Sequence, residues 1–107
     1  MLVINKYYDY ITNAYVIEFH KMINFAIIGC GRIAQRHAEH IKNNGTLVAV
    51  CDIVEKKADA LAQQYQAKAF YAIEALLNAQ LDIDVVAICS PNGLHAAHSI
   101  AVLKAGY

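Results

Sequence analysis

Six consecutive residues, Gly29-Cys30-Gly31-Arg32-Ile33-Ala34, constrain this chain more than any others. They follow the apolar run Ile23-Asn24-Phe25-Ala26-Ile27-Ile28 and precede a segment with helical spacing. A G-x-G-x-x-A turn between a strand and a helix has a separate physical reason at each small position. Gly29 permits the tight turn off the strand. Gly31 carries no Cβ and leaves the backbone open to a pyrophosphate, and Ala34 lets the helix pack closely on the strand. The N–H groups of Arg32 and Ile33 then stand at the positive end of the helix, directed at the anion.

The rest of the chain carries the alternation that such a turn belongs to. Leu47-Val48-Ala49-Val50-Cys51 and Val85-Val86-Ala87-Ile88-Cys89 are near-continuous apolar runs, as in strands covered on both faces. Ile33, His37 and Ile41 are spaced for one helix, and Ala58, Leu61, Ala62 and Tyr65 for a second. Ile73, Leu76 and Leu77 mark a shorter third. Asn43-Asn44-Gly45 predicts closure of the first helix by a left-handed glycine. A short strand is expected around Ala69-Phe70-Tyr71, and a last helix from about Leu94 to Ala105, capped by Gly106. Alternation of this kind predicts an α/β fold, a doubly wound parallel sheet of Rossmann type with helices on both faces. Counted from the Ile23 strand, the expected strand order is 3-2-1-4.

The chain reaches Gly106-Tyr107 where a fifth strand is due, so residues 22–107 read as a partial Rossmann domain truncated before that strand. Such a stop leaves the fourth strand as an unpaired apolar edge. Residues 1–21 are tyrosine-rich and end at Met22. They read as an N-terminal extension, either an arm that docks on the sheet or on a partner, or a start-site artefact with Met22 as the natural start.

Composition narrows the partners. Nine basic side chains balance nine acidic ones without forming a stripe, which excludes nucleic acid and an anionic membrane surface. No apolar run approaches the roughly 20 residues of a membrane span, and Asp9 and Glu18 break any signal-peptide pattern. Three cysteines without a close pair suggest no disulfide framework, and a cytoplasmic location is expected. His37 and His40 are three apart, as are His95 and His98, but no third ligand accompanies either pair and no metal site is expected. Cys30, Cys51 and Cys89 fall at the carboxyl ends of neighbouring strands and read as small buried thiols. A redox role would need a lowered pKa, which only the helix N-terminus at Cys30 offers.

Asp52 lies 21 residues beyond Gly31, just past the second strand of the alternation. A carboxylate there accepts hydrogen bonds from the hydroxyls of an adenosine ribose and repels a 2′-phosphate. No arginine follows in Ile53-Val54-Glu55, so NAD is expected over NADP, with Lys56 and Lys57 on the solvated face of the next helix. Asp52 as the N-cap of that helix is a compatible role. Ser90-Pro91-Asn92-Gly93-Leu94-His95 follows the fourth strand, beside the point where strand order reverses and ligands settle. Asn92 there either caps the helix or reaches a ribose hydroxyl, and His95 stands in the first turn of the helix.

Ile27 to Ala34, the acid in Cys51-Asp52-Ile53 and the Ser-Pro-Asn-Gly-Leu-His turn together resemble the Gfo/Idh/MocA oxidoreductases over residues 22–107. The resemblance implies an NAD-binding module with Gly29, Gly31, Arg32, Ile33, Asp52 and Ser90 at the cofactor, and with Asn92 and His95 lining its nicotinamide half. It implies a full-length protein that oxidises a CH–OH group of a sugar or nucleotide sugar, with a homo-oligomer as a compatible assembly. That family's Glu-Lys-Pro motif and second domain are not among these residues, so the chain itself is expected to hold cofactor weakly and to catalyse nothing. Two other readings compete. One is a non-catalytic NAD(H) sensor, and the other is an adenosylmethionine-dependent methyltransferase, disfavoured by the pyrophosphate-shaped loop and the Ser90–His95 turn.

Overall fold

The structure, a computed structural model, describes the backbone of residues 2–107 and the side chains of residues 6–17 and 22–107. Strands β1 (Leu2–Asp9) and β2 (Ala14–Lys21) form an antiparallel hairpin. The Asp9 carboxylate closes its turn by accepting from the Ile11 N–H at 2.9 Å, and Tyr8 packs edge-on against Tyr10 and Tyr15. Among the described residues β1 and β2 pair with each other as a two-stranded sheet separate from the parallel one.

From Ile23 onward the chain alternates. It runs through β3 (Ile23–Ile28), α1 (Arg32–Asn44), β4 (Gly45–Cys51), α2 (Glu55–Tyr65), β5 (Lys68–Phe70), α3 (Ile73–Asn78), β6 (Val85–Ile88), a 3-10 turn over Asn92–Leu94 and α4 (His95–Lys104). All pairings among β3 to β6 are parallel, in the order β5-β4-β3-β6, where the hairpin adds two to each number relative to a count begun at Ile23. β5 and β6 are the edges.

Side-chain alternation along the strands supplies a core on each face. Ile27 and Val50 point to one side, where they meet Ala34, Ala38, Ile41, Ala58 and Leu61 of α1 and α2. Ala26, Ile28, Ala49 and Cys51 point to the other, against Leu76, Ile83 and Val102. Phe25 pairs with Leu47 and Ala26 with Ala49, so Val48 is an extra residue that bulges β4.

Two local expectations are corrected. The buried stripe of α1 is Ala34, Ala38 and Ile41, while Ile33 and His37 are exposed. Close packing of a helix on a strand demands small side chains at the contact, and the larger Ile33 is turned outward. Gly45 is not left-handed, since its φ of 177° is ordinary extended backbone. It is instead a site of close approach, where an added Cβ would fall 2.2 Å from the Ile23 carbonyl oxygen.

None of the described residues of the hairpin belongs to either core cluster. Removing residues 1–21 is therefore expected to leave the thermal midpoint of the remaining domain unchanged, within about 2 °C. Circular dichroism melts of the two chains compare them directly, and a large drop on deletion would assign the hairpin a structural role.

Candidate functional site

The carboxyl ends of β3, β4 and β6 open onto a cleft of about 720 Å³. Its floor is set by Gly29, whose φ of +94° belongs to glycine. A Cβ on Gly29 would lie 2.5 Å from the Ser90 nitrogen and 2.6 Å from the Cys89 carbonyl carbon. The turn is thus pressed against the end of β6 as well as bent. The Gly29 N–H donates to the Cys51 carbonyl at 2.8 Å, and the Cys89 N–H donates to the Ile28 carbonyl at 2.7 Å. Three strand ends are tied together at one point.

Gly31 differs. Its φ is −85°, and a Cβ placed on it would meet nothing within 4 Å. Arg32 and Ile33 begin α1, which has no side-chain cap and no acid in its first turn, and both line the cleft. The protein's own side chains leave this helix terminus free for an external anion.

Asp52 is partly buried and acts on both sides of the cleft. Its Oδ2 accepts from the Cys30 N–H at 2.9 Å and its Oδ1 from the Val54 N–H at 2.8 Å. It does not cap α2, whose N-cap is Val54; the carboxylate instead closes the turn leading into that helix and braces the glycine loop. A carboxylate offers about four acceptor positions, so about two remain for hydroxyl donors.

Ser90 is buried and lines the cleft. Its Oγ shares a 2.8 Å hydrogen bond with His98 Nδ1. Its carbonyl lies 2.5 Å from His95 Nε2, and since a carbonyl can only accept, that nitrogen carries the hydrogen. His95 is exposed and Asn92 is exposed in the 3-10 turn, and neither is among the residues that line the cleft. Asn92 makes no capping bond either. The 3-10 turn swings its side chain outward, and His95 folds back onto the chain that precedes it.

Among residues the sequence reading passed over, His98, Lys57 and Glu74 line the cleft. Lys57 is exposed, as expected of the solvated face of α2, and also stands on the rim of the cleft. His98 stands one helical turn beyond His95, a spacing that was considered only for metal. Among the described residues no group of three or more metal-ligating side chains forms, and no helix is long and apolar enough to cross a membrane.

All three thiols sit at the cleft, and burial holds them protonated. Burial, with the Asp52 carboxylate second, pushes Cys30 up to about 12, and the same two causes push Cys51 to about 11. Burial also raises Cys89. The helix N-terminus does not lower Cys30, because desolvation and a neighbouring anion both oppose the thiolate.

A family model described as "Oxidoreductase family, NAD-binding Rossmann fold" (GFO_IDH_MocA) matches residues 23–107. D-glucoside 3-dehydrogenase of Escherichia coli K12 is 41% identical over an 88-residue alignment that covers 78% of this chain and 25% of that protein. Inositol 2-dehydrogenase of Rhizobium meliloti is 38% identical, over 69% of this chain and 22% of its own length. The crystal structure of the WlbA dehydrogenase from Bordetella pertussis, in complex with NADH and UDP-GlcNAcA, superposes with a TM-score of 0.72 at 32% identity. That match covers 80% of this chain and 27% of the other. The chain therefore spans about a quarter of the length of the curated relatives it matches.

The raised thiol pKa values have a measurable consequence. A higher pKa leaves less thiolate at a given pH, so reactivity emerges only as pH climbs toward the raised values. At about pH 8.5 the native chain is expected to react with iodoacetamide at least about tenfold more slowly than the urea-unfolded chain. Mass spectrometry of a quenched time course reads this at each cysteine. Fast labelling of Cys30 in the native chain would mean a lowered pKa.

Proposed function

The chain belongs to the Gfo/Idh/MocA oxidoreductases, an NAD-binding Rossmann family, and on that premise we propose that it is the cofactor-holding module of a dehydrogenase acting on a ring hydroxyl of a sugar, inositol or nucleotide sugar. The observation that carries this reading is the glycine turn, where Gly31 is open toward the cleft above an uncapped helix terminus and Asp52 stands beside it with acceptor positions to spare. In this reading the backbone N–H groups of Arg32 and Ile33 hold the pyrophosphate, and Gly31 lets it approach. Asp52 accepts from the adenosine ribose hydroxyls, and its charge disfavours a 2′-phosphate at the same place. Ile53, 85% exposed, and Val54 provide apolar surface at that end of the cleft.

Ser90 lies on the far side of the turn, where the nicotinamide half would extend. His95 serves it from outside the cleft, holding the Ser90 carbonyl and with it the shape of the turn. Asn92, on the exposed rim, reaches a ribose hydroxyl only if the 3-10 turn rearranges. When bound, NAD supplies the hydride acceptor, and the chain's own residues supply orientation and exclude water from the crevice. We assign binding to these residues and the oxidation of substrate to the whole protein, with the chain alone holding cofactor and lacking turnover.

Cofactor choice is the sharpest test. NAD is expected to bind at least about tenfold more tightly than NADP, a difference of about 1.4 kcal/mol. Asp52→Ser combined with Ile53→Arg is expected to erase or reverse that preference. Isothermal titration of both cofactors into both proteins measures it. Equal affinity in the unmodified protein would remove the role given to Asp52.

A further inference from the structure

Ser90 is the buried polar residue among the described side chains, and its hydroxyl hydrogen-bonds with His98 Nδ1 at 2.8 Å. Both residues line the cleft, and Ser90 abuts the glycine turn so closely that a Cβ on Gly29 would touch its nitrogen. A hydroxyl owns a single hydrogen. If Nδ1 is bare, the hydroxyl donates to it and faces the cleft only as an acceptor. If Nδ1 carries a hydrogen, the imidazole donates to Oγ and the hydroxyl hydrogen is free to point into the cleft. His95 cannot act in this way, because its Nε2 must donate to the Ser90 carbonyl in either protonation state.

We infer that His98 is a positioning residue that sets the donor or acceptor sense of the Ser90 hydroxyl toward a bound dinucleotide. The inference rests on the cofactor reading above. With His98 neutral and Nδ1 bare, Ser90 presents lone pairs to the phosphate oxygens and nicotinamide carbonyl, which are acceptors themselves. With His98 protonated, Ser90 becomes a donor to those groups, and the added positive charge acts in the same direction.

The charged and titratable groups that share the cleft are Cys30 and Arg32 at the glycine turn, Asp52 after β4, Lys57 on α2, Glu74 on α3 and Cys89 after β6. Of the side chains around Ser90, His98 is the one that hydrogen-bonds its hydroxyl, while His95 holds its carbonyl.

The test is an NADH titration of the whole chain, followed by fluorescence, at about pH 8 and about pH 6. Affinity is expected to rise about fivefold on acidification in the unmodified chain. His98→Asn keeps a hydrogen-bonding side chain that does not titrate, and Ser90→Ala removes the hydroxyl while leaving His98 titratable. Both are expected to flatten the pH dependence. A dependence that survives in His98→Asn overturns the inference, and one that survives in Ser90→Ala overturns transmission through the hydroxyl. Imidazole NMR signals of the unmodified chain, which need no variant to fold, are expected to shift for His98 on NADH addition; an unmoved His98 signal is equally fatal. If NADH binds with no pH dependence, the inference falls and the cofactor reading stands. If NADH does not bind at either pH, the cofactor reading falls and takes this inference with it.

Discussion

The contact on which the rest of the structure depends is the one between Gly29 and the end of β6. A positive φ and a missing Cβ coincide there, with the Ser90 nitrogen 2.5 Å from where that Cβ would stand. Any side chain would push β3 and β6 apart where their carboxyl ends define the cleft. The same turn is fastened laterally by the Gly29 N–H on Cys51 and by the Asp52 carboxylate on the Cys30 N–H. One residue thus brings together the glycine loop, the acid after β4 and the serine after β6, which are far apart in sequence. The small side chains of Ala34 and Ala38 continue the close approach on the helix side, letting α1 aim its N-terminus at the cleft.

Electrostatically the cleft is asymmetric. The start of α1 contributes partial positive charge without a capping acid, and Asp52 contributes a full negative charge one loop away. A ligand with an anionic middle and a hydroxyl-bearing end matches that arrangement. The three thiols add no charge, since burial and the neighbouring Asp52 keep Cys30 and Cys51 protonated well above neutral pH. They are walls of the site and not reagents.

Much of this was legible in the sequence, and the failures have physical causes. The alternation of apolar runs and helical spacings identified every strand and helix from Ile23 onward, because hydrophobic period follows directly from which faces are covered. The place of Gly31 and Asp52 at the cleft was readable from spacing, since it depends on backbone geometry common to such turns. What spacing could not show was direction. It grouped Ile33 and His37 with Ile41 on one face of α1, whereas the buried stripe is Ala34, Ala38 and Ile41. It read Gly45 rightly as the cap of α1, whose N–H donates to the Ile41 carbonyl, but wrongly as left-handed; the further constraint on it is a neighbouring strand, a contact between residues 22 apart. It weighed His98 only for metal, whereas His98 lines the cleft and bonds the Ser90 hydroxyl, a contact across the 3-10 turn that spacing does not reveal. The hairpin was unreadable as such, its tyrosine-rich pattern fitting neither period cleanly.

The two glycines of the turn separate the two demands made on it. Gly29 is required by the protein's own packing, whereas Gly31, with an ordinary φ of −85° and empty space around it, is not, and in the proposed reading it is the ligand that requires it. The most direct measurement is therefore the shift in thermal midpoint on adding NADH, compared between the unmodified chain and Gly31→Ala. The account predicts that Gly31→Ala alone melts within about 2 °C of the unmodified chain, since alanine adopts this backbone without strain. It also predicts that the stabilisation by NADH seen in the unmodified chain is lost, because the added methyl occupies the approach to the pyrophosphate. NADH stabilising Gly31→Ala as strongly as the unmodified chain would contradict the placement of the cofactor over this turn.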